Sequence, residues 1–355
     1  PDRYMSTYPI FNPDCTRMVF FSSEKEFNEH MTCLEICSLD IESSTCLKSL
    51  PNKLQTLVPV VKDNQHHFNG IYSYQDIFVK SNFVKTDSSS GDSSEFFVFQ
   101  TNCQGFGKTF LVDLASKELL QVGSGESEHV SILEVDPRQG LLCLLEKMDD
   151  SSRVVYLNPK HVKANTITDD RQNKFVKIDS GEVYRCGDLK IGQVDSKESV
   201  SYLFKSKATI IETHFGAQGV LFVPSGISSN DKLPLVVVIH GGPHSYGKYH
   251  PVTNFDRGLF LYQGYAVLVP NYRGSTGYGL DFLRAGMGKA GEVDVEDVMN
   301  LVDRALELNK DLLDDKRIAV TGFSNGGYLS AMLAVHSIHS NRNKVSIPIN
   351  PVTNF

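Results

Sequence analysis

Five residues restrict the fold of this chain more than any others: Gly322-Phe323-Ser324-Asn325-Gly326, extended by Gly327. They stand between a strand-like run, Ile318-Ala319-Val320, and an apolar helical pattern from Tyr328 to Ser337. A serine on a sharp strand-to-helix turn takes strained dihedrals, and bulky neighbours would collide there. Glycines two residues to either side remove those side chains. The hydroxyl then stands at the carboxyl edge of a sheet, near the positive end of the next helix. Ser324 is therefore the candidate nucleophile. The competing reading is a glycine-rich turn with an incidental serine; the strand before and the helix after favour the nucleophile.

The surrounding segment has the alternation that such a turn requires. Gly219 to Val223 reads as a strand ending at Pro224-Ser225-Gly226, and Ala266 to Val269 as another. Leu235 to Ile239 is almost wholly apolar, as expected for a strand covered on both faces. Arg317 to Gly322 is a fourth strand. Val298, Leu301, Val302, Ala305 and Leu306 recur at helical spacing and give one apolar stripe. Asp294, Glu296 and Asp297 stand near the start of that helix, where carboxylates suit its dipole.

Two glycine-rich segments follow strands in this half. His240-Gly241-Gly242-Pro243-His244 follows Leu235 to Ile239. In α/β-hydrolases one oxyanion donor is a backbone N–H of this loop, and another belongs to the residue after the nucleophile. Those donors would be the N–H groups of Gly242 and Asn325. His240 and His244 are read as shaping the loop rather than reacting. The spacing of His240, His244 and His250 suggests metal ligands, but no carboxylate or cysteine cluster accompanies them. Neither a metal nor a cofactor is expected. Asn271 to Gly279 (NYRGSTGYG) follows the third strand and lacks the Gly-Lys-Ser/Thr ending of a phosphate cradle. Arg273 reads as a structural ion-pair partner.

Residues before about 215 have a different texture. Met18 to Phe21, Cys33 to Leu39, Phe96 to Phe99, Thr109 to Val112, Leu119-Leu120, Leu141 to Leu145 and Val154 to Leu157 are short strand-like runs between turn-rich segments. Asp87 to Glu95 reads as a disordered loop. Units of four short strands every ~40 to 50 residues have the period of propeller blades, and about three to four blades are expected. An irregular β-sandwich is the alternative.

Composition narrows the function classes. Lys plus Arg is 35 against 42 Asp plus Glu, a net charge of −7, which argues against nucleic acid as partner. No apolar run approaches the ~20 residues of a membrane-spanning helix. The seven cysteines lack a CxxC pair and read as reduced thiols of a cytoplasmic protein. The chain opens on Pro1-Asp2-Arg3 and reads as cut from something longer.

Together, HGGPH at 240–244, NYRGSTGYG at 271–279, GFSNGG at 322–327 and Asn350-Pro351-Val352 resemble the prolyl oligopeptidase family of serine peptidases. The close likeness runs from Gly219 to Phe355. Asn325 is a departure, since similar enzymes often carry His or Tyr there; its backbone N–H would serve equally. The resemblance implies a partial β-propeller over 1–214 and an α/β-hydrolase domain over 215–355. That domain would be a mostly parallel sheet with helices on both faces, truncated at its C-terminal end. It implies a serine-type peptidase that releases the N-terminal N-acylated amino acid from acylated peptides, and it leaves a homo-oligomer open. A dipeptidyl peptidase, an esterase of the same fold, or a non-catalytic binding relic are the alternatives. Glu24 and Glu26, the one tempting carboxylate pair for a free amine before residue 60, read as a solvated loop. In α/β-hydrolases the triad acid and histidine follow the serine. No Asp or Glu follows Ser324 here. His336 would stand about 18 Å away along a helix, and His339 is no better placed. The acid and base are therefore expected beyond Phe355, and the chain alone is expected to be inactive.

Overall fold

The computed structural model describes residues 4–24, 33–41, 54–63, 68–72, 82–86, 94–123, 128–136, 140–147, 152–157, 166–168, 174–176, 183–185, 206–226, 232–249, 255–335 and 343–353. Residues 87–93, Glu26, Cys46, Cys186, His250, His336 and His339 lie outside the described residues, while Ser94 and Glu95, read with 87–93 as disordered, stand in a strand. Two compact units result. One comprises Pro1–Glu146, Ser152–Lys190 and Gly277–Leu280; the other comprises Lys147–Ser151, Ile191–Thr276 and Asp281–Phe355.

The first unit is built mainly of antiparallel strand pairs, with one parallel pairing in its second sheet. β1 (Tyr4–Phe11), β2 (Arg17–Glu24), β3 (Glu35–Asp40) and β4 (Leu54–Val58) form a four-stranded meander in chain order. β5 (Phe83–Thr86), β6 (Ser94–Cys103), β7 (Phe106–Asp113) and β8 (Leu119–Val122) form a second. β9 (Glu128–Asp136), β10 (Gly140–Lys147) and β11 (Ser152–Leu157) begin a third. β12 (Thr166–Thr168) and β13 (Lys174–Val176) extend the second sheet beyond β8, and β14 (Val183–Arg185) completes the third beside β11.

The run Phe96-Phe97-Val98-Phe99 shows why the second sheet tolerates continuous apolar sequence. Successive side chains point to opposite faces. Phe97 and Phe99 join Phe21, Phe83, Phe110 and Val112 in one core. Phe96 and Val98 join Leu111, Val130, Leu141 and Cys143 in another. Phe83 meets Phe97 edge-on at 5.4 Å, and Phe99 stacks on Phe110 at 5.6 Å, both favoured aromatic geometries. The second sheet is thus covered on both faces, by the first and third sheets. The five described cysteines are free thiols.

The second unit is one six-stranded sheet with helices. In chain order it contains β15 (Ser206–Glu212), β16 (Gln218–Pro224), β17 (Leu233–Ile239), α1 (Phe255–Tyr262), β18 (Ala266–Asn271), α2 (Leu280–Arg284), α3 (Val293–Leu308), β19 (Leu313–Phe323), α4 (Asn325–Val335) and β20 (Asn343–Ile349). The sheet order is β15-β16-β18-β17-β19-β20. β17 pairs in parallel with β18 and β19, and β19 with β20; β15 and β16 run antiparallel at one side. Leu235, Val237 and Ile239 pack with Val298, Leu301 and Val302 of α3 and Leu329 and Leu333 of α4. α1 lies against β16 and β18, outside that core. Among the described residues no helix is long and apolar enough to cross a membrane.

Two boundaries differ from those read in the sequence. β15 pairs with β16 from Ser206↔Pro224 to Glu212↔Gln218. The textural change near 215 is therefore a hairpin turn inside the second unit, and residues 206–214 belong with the hydrolase-like sheet. β15 reads poorly as a core strand because four of its seven residues are exposed. α4 begins at Asn325, three residues before the apolar pattern, because Gly326 and Gly327 carry no hydrophobic signal.

Candidate active site

The parallel pairing of β17 with β18 and β19 determines which loops meet. Ile239, the last residue of β17, faces Gly322 across the ladder, and Val237 faces Leu268. The chain therefore leaves β17, β18 and β19 at the same sheet edge, where open α/β sheets hold their ligands.

Ser324 occupies the turn between β19 and α4 with φ +57°, a left-handed conformation that costs a non-glycine residue about 1 to 3 kcal/mol. The turn is held by Ser324 N–H donating to Ile349 O at 3.1 Å and Tyr328 N–H donating to Ser324 O at 3.0 Å. Val352 N–H also donates to Ser324 O, at 3.3 Å, so the Asn350-Pro351-Val352 segment flanks the serine. The glycines are required by close approach. A Cβ on Gly326 would stand 2.2 Å from Ile239 O, and one on Gly322 would stand 2.5 Å from the Gly326 backbone.

The Gly241-Gly242 loop faces this turn. A Cβ on Gly241 would lie 2.9 Å from Phe323 O and 3.4 Å from Ser324 Cβ. Gly242 has φ +127°. The structure thus gathers Ser324, Asn325 and the Gly241-Gly242 loop at one edge. Asn325 is fully buried as the first residue of α4, where backbone N–H groups lack intrahelical partners.

His240 is built into the loop. Its ring stacks on Tyr272, with centroids 4.4 Å apart and planes 8° apart. Nδ1 lies 2.8 Å from Gly241 O, and Nε2 lies 2.9 Å from Ser275 Oγ. Burial, with the Arg257 charge nearby, lowers its pKa from 6.5 to about 4, against the raising effect of the Gly241 hydrogen bond. A neutral imidazole with both nitrogens engaged shapes the loop, in keeping with the sequence reading. His244 Nδ1 lies 3.3 Å from Gly274 O and serves the same end.

Sequence reasoning missed how closely the loops after β17 and β18 are joined. Thr276 N–H donates to Ser245 O at 2.9 Å. The Asn271 side chain imitates a backbone pair: its Oδ1 accepts from Gly247 N–H at 2.6 Å and its Nδ2 donates to Gly247 O at 3.2 Å. Tyr272, fully buried, donates its hydroxyl to His240 O at 3.0 Å and accepts from Asn325 Nδ2 at 3.1 Å. Only the repeated glycines and polar residues after strands signalled loop structure there.

Arg273 is the ion-pair partner expected from the sequence. Its Nε and Nη2 reach Asp297 Oδ1 at 3.0 and 2.8 Å, and its backbone N–H donates to Asp297 Oδ2 at 2.8 Å. Its Nη2 also reaches Glu296 at 2.7 Å. Asp294 Oδ1 accepts from Gly291 N–H and Val295 N–H at 2.8 and 2.9 Å. The acidic start of α3 therefore anchors neighbouring chain as well as facing the helix dipole.

A serine with positive φ between a central parallel strand and a helix, faced by a glycine loop from the adjacent strand, is the arrangement of the α/β-hydrolase class. Within that class, residues 253–355 match the prolyl oligopeptidase family. The chain is 37% identical over 116 residues to the acylamino-acid-releasing enzyme of Rattus norvegicus, covering 33% of this chain and 15% of that enzyme. It is 43% identical over 102 residues to the Arabidopsis thaliana acylamino-acid-releasing enzyme, covering 28% of this chain and 13% of that one. The fold is similar to that of an acylaminoacyl peptidase from Pyrococcus horikoshii, with TM-score 0.60 and 19% identity, covering 97% of this chain and 44% of that one. A Mycobacterium tuberculosis puromycin-hydrolyzing peptidase gives TM-score 0.57 and 18% identity, covering 94% and 43%. The chain thus aligns with less than half the length of each of these proteins.

Proposed function

We propose that the protein is a serine peptidase that removes N-acylated amino acids from the blocked ends of peptides. Ser324 would be the nucleophile, and the N–H groups of Gly242 and Asn325 the oxyanion donors. The observation that carries this reading is the positive φ of Ser324 on a turn only glycines permit. Strain at such a position is sustained when surrounding structure over-determines it, and it clusters at functional sites. We further read the three sheets of the first unit as blades of a partial β-propeller.

In the proposed reaction Ser324 Oγ attacks the carbonyl of the acylated residue and the peptide C–N bond breaks. The acyl group passes to the serine and the shortened peptide leaves with a proton on its new amine. Water then attacks the ester, releasing the acylated amino acid and restoring the hydroxyl. Both steps place negative charge on the carbonyl oxygen, and losing one fixed donor costs about 3 to 4 kcal/mol. His240 is not the general base, because its nitrogens are held by Gly241 O and Ser275 Oγ and it stays neutral to about pH 4.

The test is covalent labelling of the full-length protein by a fluorophosphonate. Label should sit on Ser324 and vanish in Ser324→Ala. Undiminished labelling of that variant would overturn the assignment.

A further inference from the structure

We propose that Ser275 is a positioning residue for the oxyanion loop, acting by anchoring the His240 ring through its Nε2. The inference rests on the reading of Ser324 and Gly242 given above. A carbonyl oxygen can only accept, so the 2.8 Å contact between His240 Nδ1 and Gly241 O requires the proton on Nδ1. In a neutral ring Nε2 then carries a lone pair, and Ser275 Oγ–H donates to it across 2.9 Å. The peptide group that accepts from Nδ1 through Gly241 O is the same one that carries the Gly242 N–H. In a trans peptide the C=O and N–H point in opposite directions. Fixing Gly241 O toward the imidazole therefore aims the Gly242 N–H away from it.

Ser275 is itself well placed for this task. It is fully buried, and its backbone N–H donates to Tyr272 O at 2.9 Å. Tyr272 in turn stacks against the His240 ring and holds His240 O. With the ring plane set by stacking and the proton held on Nδ1 by Gly241 O, the hydroxyl supplies the donor that the Nε2 lone pair needs. Without it the ring loses its anchor at Nε2 and shifts within its stack. The bond from Nδ1–H to Gly241 O then lengthens, and the peptide group is free to turn.

The experiment uses the full-length protein with 15N-histidine, His240→Gln to assign the resonance, and the substrate acetyl-alanyl p-nitroanilide. In the wild type His240 should show a protonated Nδ1 and an unprotonated Nε2. Ser275→Ala should move the Nε2 resonance downfield, as an unprotonated nitrogen that has lost its donor, and lower kcat at least tenfold with KM changed less than twofold. Ser275→Thr, which restores a hydroxyl, should return the Nε2 resonance and part of kcat. A wild-type ring protonated at Nε2 would overturn the proposal without reference to turnover, as would Ser275→Ala with unchanged kcat. Loss of fluorophosphonate labelling only in Ser324→Ala, alongside an unaffected Ser275→Ala, would leave the nucleophile standing and remove the role of Ser275. Label on another residue, with the Nε2 resonance still moved in Ser275→Ala, would remove the nucleophile and leave the anchor.

Discussion

At the residue scale, the site depends on side chains held in states they do not prefer in water. Ser324 has a left-handed backbone, and His240 stays neutral in a half-buried, hydrogen-bonded place. The second has a consequence for stability. The folded pKa of His240 lies near 4 and the unfolded pKa near 6.5. Between those values the unfolded chain binds a proton that the folded chain does not. Stability therefore falls as pH drops from 6.5 to 4, by up to about 3 kcal/mol from this ring. Denaturant midpoints at pH 7.5 and 4.5 measure the slope. His240→Asn should be less acid-sensitive than the wild type, and equal slopes would refute the assignment. The serine's candidacy was legible in the sequence because its glycine neighbours are local and their reason is steric. The histidine's loop-shaping role was legible from its place beside Gly241-Gly242, but its partner Ser275, 35 positions on, was not.

At the element scale, the loops after β17 and β18 are one hydrogen-bonded structure, and α3 is tied to it through Arg273, which meets Glu296 and Asp297. Asp297 is fully buried, and Arg273 meets it with both Nε and Nη2. Arg273 also lies over the Phe215 ring at 5.2 Å. Arg273→Ala would leave a buried carboxylate without its cation, at a cost of about 3 to 5 kcal/mol. Arg273→Lys keeps the charge but loses the planar fork, so it should recover only part of the loss. Urea unfolding of both variants checks this; an alanine variant within 1 kcal/mol of the wild type would contradict it. The helix itself was legible from its 3.6-residue stripe, which depends only on which face is apolar. The fate of its acidic residues was not, because a first-turn carboxylate suits the dipole and an arginine equally well.

At the scale of the whole molecule, the proposed activity makes a claim about substrate. The full-length protein should hydrolyse acetyl-alanyl p-nitroanilide with kcat/KM at least tenfold above that for alanyl p-nitroanilide. Equal rates, or preference for the free amine, would replace the acylaminoacyl reading with an aminopeptidase-like one. Activity confined to esters would point to the esterase alternative.

The same scale separates what the sequence alone determined from what the tertiary structure decided. Strand and helix periodicity, the serine turn and the glycine loop depend on neighbours within a few residues, and β16 to β19, α3 and α4 were readable in order, whereas β15, α1, α2 and β20 were not. The sheet order β15-β16-β18-β17-β19-β20 was not, because it joins segments far apart in the chain. That order places the loops after β17, β18 and β19 side by side. It also moves β15 across the apparent boundary at 215, since a hairpin's register is set by pairing along its whole length rather than by its own composition. The contacts of His240 with Ser275, Tyr272 with Asn325, and Arg273 with Asp297 all follow from that placement. Each is a long-range hydrogen bond that no local pattern encodes, because any buried polar atom must find a partner and only the packed fold says which one is near.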